Sequence, residues 1–164
     1  MGYVTSGTNE TVERSGAEFR AIREKLGWSQ RELATELGEE HSTIKKWENP
    51  GTVSMGWKVR PYVWEWLDKR VEEFENEVNE RIDQAHEYFE YTGANSVTIL
   101  YRRIGMYHFM KVKTRGHKHS CPVGVANAVA RTVGDYLMSE GYKVRYEWPE
   151  DETDTRFFAH DGKF

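Results

Sequence analysis

Cysteine is almost absent from this chain of 164 residues, which contains only Cys121. A single thiol cannot form an intrachain disulfide, so the fold must depend on a packed core. The sequence also lacks an apolar run of about 18 residues, the length that a membrane-spanning helix needs. It does not begin with a charged segment followed by a short apolar one, as a secretory signal would. We therefore expect a cytoplasmic protein with no membrane association.

The motifs of common catalytic sites are also missing. There is no P-loop, no G-x-S-x-G and no H-E-x-x-H. His117, His119 and Cys121 lie close together in the sequence, but structural zinc needs four ligands and no second Cys or His pair is near. We predict no metal, no cofactor and no enzymatic activity.

Excess positive charge is lacking too, because the formal net charge is -4. This value argues against nonspecific nucleic-acid binding through a basic coat. The charge is uneven, however: residues 14–60 carry +2, residues 61–95 carry -7 and residues 96–119 carry +6. Any attraction to a polyanion must therefore be local.

What the sequence does contain is a stretch, residues 15–51, with the signals of three short helices. Ser15 and Ser29 are each followed three residues later by glutamate, the spacing of a capping box. Gly27 and Gly38 follow apolar runs, where glycine commonly ends a helix. Apolar residues recur at three- and four-residue steps: Phe19, Ile22, Leu26, Leu33, Ala34, Leu37, Ile44 and Trp47. Each helix thus has one face to bury.

Residues 26–51, LGWSQRELATELGEEHSTIKKWENPG, resemble the helix-turn-helix of the phage-repressor (Cro and xenobiotic-response-element) family. The family pattern is L-G-x-S-Q-x-E-L-A-x-x-L-G-x-x-x-S-T-I-x-x-W-E-x-G. The resemblance implies double-stranded DNA as the ligand. Two positions depart from the pattern, because Glu39 replaces a usual apolar residue and Glu40 a usual small cap. We expect these carboxylates to cap the third helix and to oppose tight binding to phosphates.

The resemblance also assigns roles to individual residues. The positions that reach bases in the family correspond to His41, Ser42, Lys45 and Lys46. The positions that contact the DNA backbone correspond to Gln30, Arg31, Thr43 and Asn49. Gln30 is further expected to brace the third helix. The plainer interpretation remains open that the lysines are ordinary surface residues and that His41 contacts no base.

Beyond this stretch, the patterning predicts a long helix followed by strands and one more helix. Apolar residues from Val63 to Phe89 recur at helical spacing, which predicts a helix over 61–91. Alternation predicts antiparallel strands at 97–102 and 107–112 joined near 104–106, a turn at 116–120, a helix at 122–140, a third strand at 142–148 and an edge strand at 156–159. The predicted fold class is α+β: an all-α helix-turn-helix bundle, a long linker helix and a small β-β-α-β dimerisation unit. The predicted domains are a disordered arm at 1–13, the DNA-binding domain at 14–60, the linker helix at 61–92 and the dimerisation domain at 93–164.

Residues 96–119 combine basic and aromatic side chains and contain no acidic residue. The basic residues that could form a second nucleic-acid or subunit surface are Arg102, Arg103, Lys111, Lys113 and Arg115. One interpretation is a surface for single-stranded nucleic acid, where bases stack on aromatic rings. The other, which we favour, is that these strands pack against the acidic helix at 61–91 within or between subunits.

The order of elements is also similar to that of the compact repressors encoded beside anti-CRISPR genes in phages and mobile elements, in which the second domain mediates dimerisation. Both resemblances imply a sequence-specific transcriptional repressor that is autoregulatory and binds a palindromic operator as a homodimer. Two alternatives stay open. The chain could be an antitoxin-like or adaptor protein whose C-terminal domain binds a partner protein, or an RNA-binding regulator that uses strands 96–119.

Overall fold

The computed structural model describes residues 13–103, 110–114, 117–151 and 154–160. Six helices and four strands lie in these segments. They are α1 (Gly16–Leu26), α2 (Gln30–Leu37), α3 (His41–Trp47), α4 (Pro50–Val53), α5 (Pro61–Thr92), β1 (Ser96–Leu100), β2 (Met110–Thr114), β3 (His117–Cys121), α6 (Val123–Ser139) and β4 (Lys143–Glu147). The predicted arm at 1–13 and the predicted turn at 104–106 fall almost entirely outside the described residues.

Local signals determine the ends of the first helices. The Ser29 side chain accepts a hydrogen bond from the Glu32 N–H, and the Glu32 side chain accepts one from the Ser29 N–H, which completes a capping box. At α1, Ser15 accepts from the Glu18 N–H, which is one of the two hydrogen bonds of the predicted capping box. Gly27 ends α1 with φ 81° and Gly38 ends α2 with φ 67°, a conformation that costs glycine little. These predicted boundaries are confirmed.

A single continuous core joins both ends of the chain. It runs from Phe19 in α1 through Leu67 and Phe89 in α5 to Leu137 in α6. The long helix α5 packs on both α1 and α6, and α6 also contacts α1. This core is one continuous cluster of buried residues. The domain boundaries proposed from the sequence stay predictions.

The two strands at the C-terminal end pair differently from the prediction. β1 pairs with β4 in parallel, with Val97 opposite Val144 and Ile99 opposite Tyr146. The predicted antiparallel pairing of 97–102 with 107–112 is therefore wrong. Helix α6 returns the chain to the beginning of β1, so β4 enters the sheet in the same direction as β1.

The predicted turn at 116–120 is also wrong. β3 occupies His117–Cys121 and pairs antiparallel with β2, with Thr114 opposite His117 and Met110 opposite Cys121. The polar sequence HKHSC gave no alternation of apolar residues, which is why its strand character was not apparent. The chain is thus mostly helical, with an N-terminal helix-turn-helix and two parallel strands.

Asn127 connects α6 to the end of β1. Its side chain is only 1% exposed. Its amide nitrogen donates to the Arg102 carbonyl at 2.7 Å, and its carbonyl oxygen accepts from the Arg102 N–H at 2.8 Å. One side chain therefore satisfies both backbone groups of a buried residue.

We expect Asn127→Leu to lower the free energy of unfolding by about 2–3 kcal/mol, because it leaves both Arg102 backbone groups buried without a partner. Urea unfolding followed by circular dichroism measures this. Thr132→Ala is the control, because the Thr132 hydroxyl only donates to the Ala128 carbonyl within the same helix. An unchanged midpoint for Asn127→Leu would show that the pairing contributes nothing.

The part of the chain that the structure describes contains no helix that is both long and apolar enough to cross a membrane. The long helix α5 owes this to its charged face.

Candidate nucleic-acid interface

Helix α3 has one buried face and one exposed face. Ile44 and Trp47 are at most 1% exposed and pack into the core. Ser42 and Lys45 are exposed on the other side, and His41 is half-buried at the first position of the helix. Trp47 makes an edge-to-face contact with Phe19 of α1, with ring centroids 5.7 Å apart. The core thus holds α3 so that its polar side chains project outward.

A polar network behind α3 links it to α1 and α2. Glu48 accepts hydrogen bonds from Arg23 Nε at 2.6 Å and Nη2 at 3.1 Å, and Arg23 Nη1 donates to the Trp28 carbonyl at 2.9 Å. The Arg23 and Glu48 side chains are only 8% and 4% exposed. Gln30 donates to the second Glu48 oxygen. Charged groups this well buried require such complete pairing.

The same network orients His41. The Gln30 amide nitrogen donates to Glu48, so its carbonyl oxygen faces the His41 Nε2, 3.2 Å away. His41 Nε2 must then donate, which leaves Nδ1 as an acceptor. Partial burial, then the charges of Lys45 and Arg31, hold the pKa of His41 below its ordinary value. The lowered pKa favours the neutral imidazole, whose Nδ1 can accept a hydrogen bond from a base.

An open depression of about 500 Å³ lies beside this network. It is lined by Arg20, Arg23, Ser29, Gln30, Arg31 and His41. Three predicted contact residues, Gln30, Arg31 and His41, thus share one surface with a further cation, Arg20. Ser29 lies there as the N-cap of α2, and the N-terminus of a helix favours a phosphate.

The other predicted contact residues lie around α3. Lys46 is half-buried, and its ammonium group sits 3.9 Å from the ring centroid of Trp57, an exposed residue after α4. Thr43 is half-buried within α3. The Asn49 side chain accepts from the Gly51 N–H at 2.9 Å and so caps α4. Asn49 thus has a structural role, whereas Lys45 has no ion pair among the described residues.

The two glutamates in the turn before α3 do not cap it as expected. Glu40 occupies the N-cap position, but its side chain makes no capping hydrogen bond and instead accepts from the Ser42 hydroxyl at 3.2 Å. Glu39 accepts hydrogen bonds from Arg60 at 3.0 Å and from the Tyr62 hydroxyl. The hydrogen bond to Glu39 raises the pKa of Tyr62. The Glu39 charge is thus paired with a cation at the beginning of α5, which reduces its repulsion of a phosphate.

The predicted second surface is only partly described. Arg102 does not belong to a surface: it is 8% exposed, and its Nη2 donates to the Asp154 and Arg156 carbonyls at 3.0 and 2.9 Å. Arg103 is exposed and lies 5.2 Å from the ring centroid of Trp148. The backbones of Lys111 and Lys113 lie in β2, and Arg115 lies outside the described residues. Among those residues, no group of His, Cys, Asp and Glu is placed to hold a metal ion.

These features define a DNA-binding domain of the helix-turn-helix class: two short helices at a tight turn, the second with a buried inner face and a polar outer face. Residues 19–50 match the helix-turn-helix family model and are of the Cro/C1 type, as the sequence predicted. The match covers about a fifth of the chain. No curated protein matches the chain. The domain implies DNA binding and favours a regulator over an enzyme.

Three residues of this site were not identified from the sequence: Arg20, Arg23 and Glu48. Arg23 lies between Phe19 and Leu26 on the buried side of α1, at helical spacing with both. Glu48 directly follows the buried Trp47. Glu48 also follows the buried Ile44 by four residues, so a charged residue at helical spacing from buried apolar residues was the signal that could have revealed the pair.

Proposed function

We propose that the protein is a sequence-specific transcriptional repressor that binds a palindromic operator on double-stranded DNA as a homodimer and regulates its own gene. The observation that carries this proposal is the exposed face of α3 beside the basic depression. Both are anchored by the buried pair Arg23–Glu48.

The proposed contacts divide into two kinds. Lys45 can donate to guanine O6 and N7, and His41 and Ser42 can bind other base edges in the major groove. Lys46 completes the proposed base-contacting set. Gln30, Arg31, Thr43 and Asn49 would bind phosphates and determine the position of α3 in the groove.

A single domain of this kind has little charge to use. Residues 14–60 carry a net charge of only +2, and phosphate contacts supply most of the nonspecific affinity for DNA. Two domains in a dimer place their recognition helices about 34–36 Å apart, in successive major grooves. We therefore assign the affinity and the selectivity to the dimer, and dimerisation to the C-terminal part of the chain.

We expect Lys45→Ala and His41→Ala to change which operator is preferred, because each removes a base contact. Lys46→Ala should weaken binding to all duplexes and should reduce the slope of log affinity against log salt by about 1, because it removes a positive charge from the DNA-facing surface. Selection from random duplexes, followed by fluorescence anisotropy at several salt concentrations, measures both effects.

Lys69→Ala is the matched control, because Lys69 is an exposed lysine on α5, away from α3. It should leave both the preferred sequence and the salt slope unchanged. Full operator affinity in a variant that lacks both Lys45 and Lys46 would show that the assigned face is wrong. A preference of the wild-type protein for single-stranded RNA over every duplex would refute the repressor proposal.

A further inference from the structure

Strand β4 has an open edge in the part of the chain that the structure describes. β1 lies between β4 and the segment at 157–159, which bonds to β1 through the Leu100 N–H to the Phe157 carbonyl at 2.8 Å and the Ala159 N–H to the Thr98 carbonyl at 2.9 Å. No described strand pairs with the other side of β4. An edge of this kind can pair with another chain.

The backbone of β4 shows which residues face that edge. The Lys143 N–H donates to the Asn95 carbonyl at 2.9 Å, and the Glu147 carbonyl accepts from the Tyr101 N–H at 2.8 Å. Lys143, Arg145 and Glu147 therefore direct their backbone groups toward β1, so Val144 and Tyr146 direct theirs outward.

Two large aromatic side chains along this edge are exposed. Tyr146 is 41% exposed and Trp148 is 57% exposed. Arg145 and Glu147 are exposed and form no ion pair with another described residue. Natural edge strands are commonly protected by proline, bulges or charge. β4 contains no proline, and its charged residues are Lys143, Arg145 and Glu147. The edge thus carries aromatic surface together with exposed charges of both signs.

We propose that β4 pairs antiparallel with β4 of a second copy of this chain, with the two-fold axis at Tyr146. In this register Arg145 lies opposite the partner's Glu147, and Glu147 lies opposite the partner's Arg145. Val144 lies opposite the partner's Trp148, and the two Tyr146 residues face each other. The outward-directed backbone groups of one strand then meet those of the other, as an antiparallel ladder requires. Opposite charges and aromatic pairs across strands are both stabilising.

The neighbouring registers are unfavourable. An axis at Arg145 places the two arginines directly opposite each other, and an axis at Glu147 does the same with the glutamates. An axis at Val144 places Lys143 opposite the partner's Arg145. Like charges directly opposite one another destabilise a strand pair. Among these four registers, only the one centred on Tyr146 avoids such a like-charge pair and places both Arg145 and Glu147 opposite a residue of opposite charge.

The test is the oligomeric state of the full chain without DNA, measured by sedimentation equilibrium. Arg145→Glu or Glu147→Arg alone converts two attractive pairs into two repulsive ones, so each should weaken dimerisation by about tenfold or more. The double variant R145E/E147R restores opposite charges and should restore the dimer. Lys143→Glu is the control, because in this register Lys143 lies opposite the partner's Pro149. It should leave the dimer intact, and circular dichroism checks that every variant is folded.

This interface rests on the proposed function only in that we take the dimer it forms to be the one that binds the operator. The experiment distinguishes failure of the interface from failure of the proposed function. A wild-type monomer, or folded single variants that dimerise like the wild type, would overturn the β4 interface and leave the assigned DNA face standing. Failure of the double variant to recover would also overturn this register. If the dimer responds as expected but binds no duplex, the interface stands and the repressor function is refuted.

Discussion

Replacing Glu48 with alanine should lower the free energy of unfolding by about 3–5 kcal/mol, because removing one member of a buried ion pair leaves the other charge buried and unpaired. Arg23 would lose both of its hydrogen bonds to the carboxylate, the closer one at 2.6 Å, in a site where its side chain is 8% exposed. Gln30 would lose its acceptor as well. Chemical denaturation of the variant and the wild type measures the difference.

Two further variants test whether the buried pair is the cause. Glu24→Ala removes another carboxylate near Arg23, at 3.8 Å, but Glu24 is 53% exposed and this variant should leave the unfolding midpoint nearly unchanged. The double variant R23M/E48L replaces both charges with apolar groups and should recover most of the lost stability. It should not recover operator affinity, because Gln30 then no longer holds His41. A fully stable Glu48→Ala would contradict the role of the pair.

Gly27→Ala should lower the free energy of unfolding by about 2–5 kcal/mol, for two reasons that add. Gly27 has φ 81°, which is strained for alanine, and a Cβ there would lie 2.1 Å from the Gly124 carbonyl oxygen at the beginning of α6. Accommodating the methyl group requires α6 to move away from α1. Thermal and urea unfolding measure the loss, and a smaller near-ultraviolet circular dichroism signal would report looser packing around the aromatic side chains.

Gly38→Ala is the matched control, because Gly38 also ends a helix with a positive φ of 67° but has nothing within 4 Å of an added Cβ. It should show the conformational cost alone, about 1–2 kcal/mol. Gly124→Ala tests the contact from the other side, since its Cβ would lie 2.4 Å from the Gly27 carbonyl oxygen in an ordinary helical conformation. If Gly27→Ala cost no more than Gly38→Ala, the close contact between α1 and α6 would be refuted.

The helix ends and the buried face of α3 could be predicted from the sequence, because each depends on residues close together in the chain. The Ser29 capping box and the Gly38 cap depend on residues within one helical turn, and the inward face of α3 follows from the spacing of Ile44 and Trp47. The roles of Arg20, Arg23 and Glu48 could not be assigned in this way, since whether a charge is buried depends on elements distant in the sequence. The pairing of Glu39 with Arg60 could not be predicted either, because it depends on where the beginning of α5 lies relative to the turn before α3.

The C-terminal part shows where sequence patterns stop being informative. Alternation correctly indicated strands near 97–102 and 142–148, but not that β1 and β4 are parallel neighbours. Arginine usually lies at the surface, yet the guanidinium of Arg102 is held inside the fold, where it donates hydrogen bonds to the carbonyls of Asp154 and Arg156. Strand partners and buried arginines depend on how α6 and the last described segment fold back onto β1.

By itself, the sequence determined the helix-turn-helix and its boundaries, because capping, left-handed glycines and helical spacing act over a few residues. Only the tertiary structure decided that the Arg23–Glu48 pair braces α3, that Gly27 meets Gly124, and that β4 has an edge with which no described strand pairs. These features depend on contacts between segments far apart in the chain, where the free energy comes from packing and desolvation and leaves no local pattern.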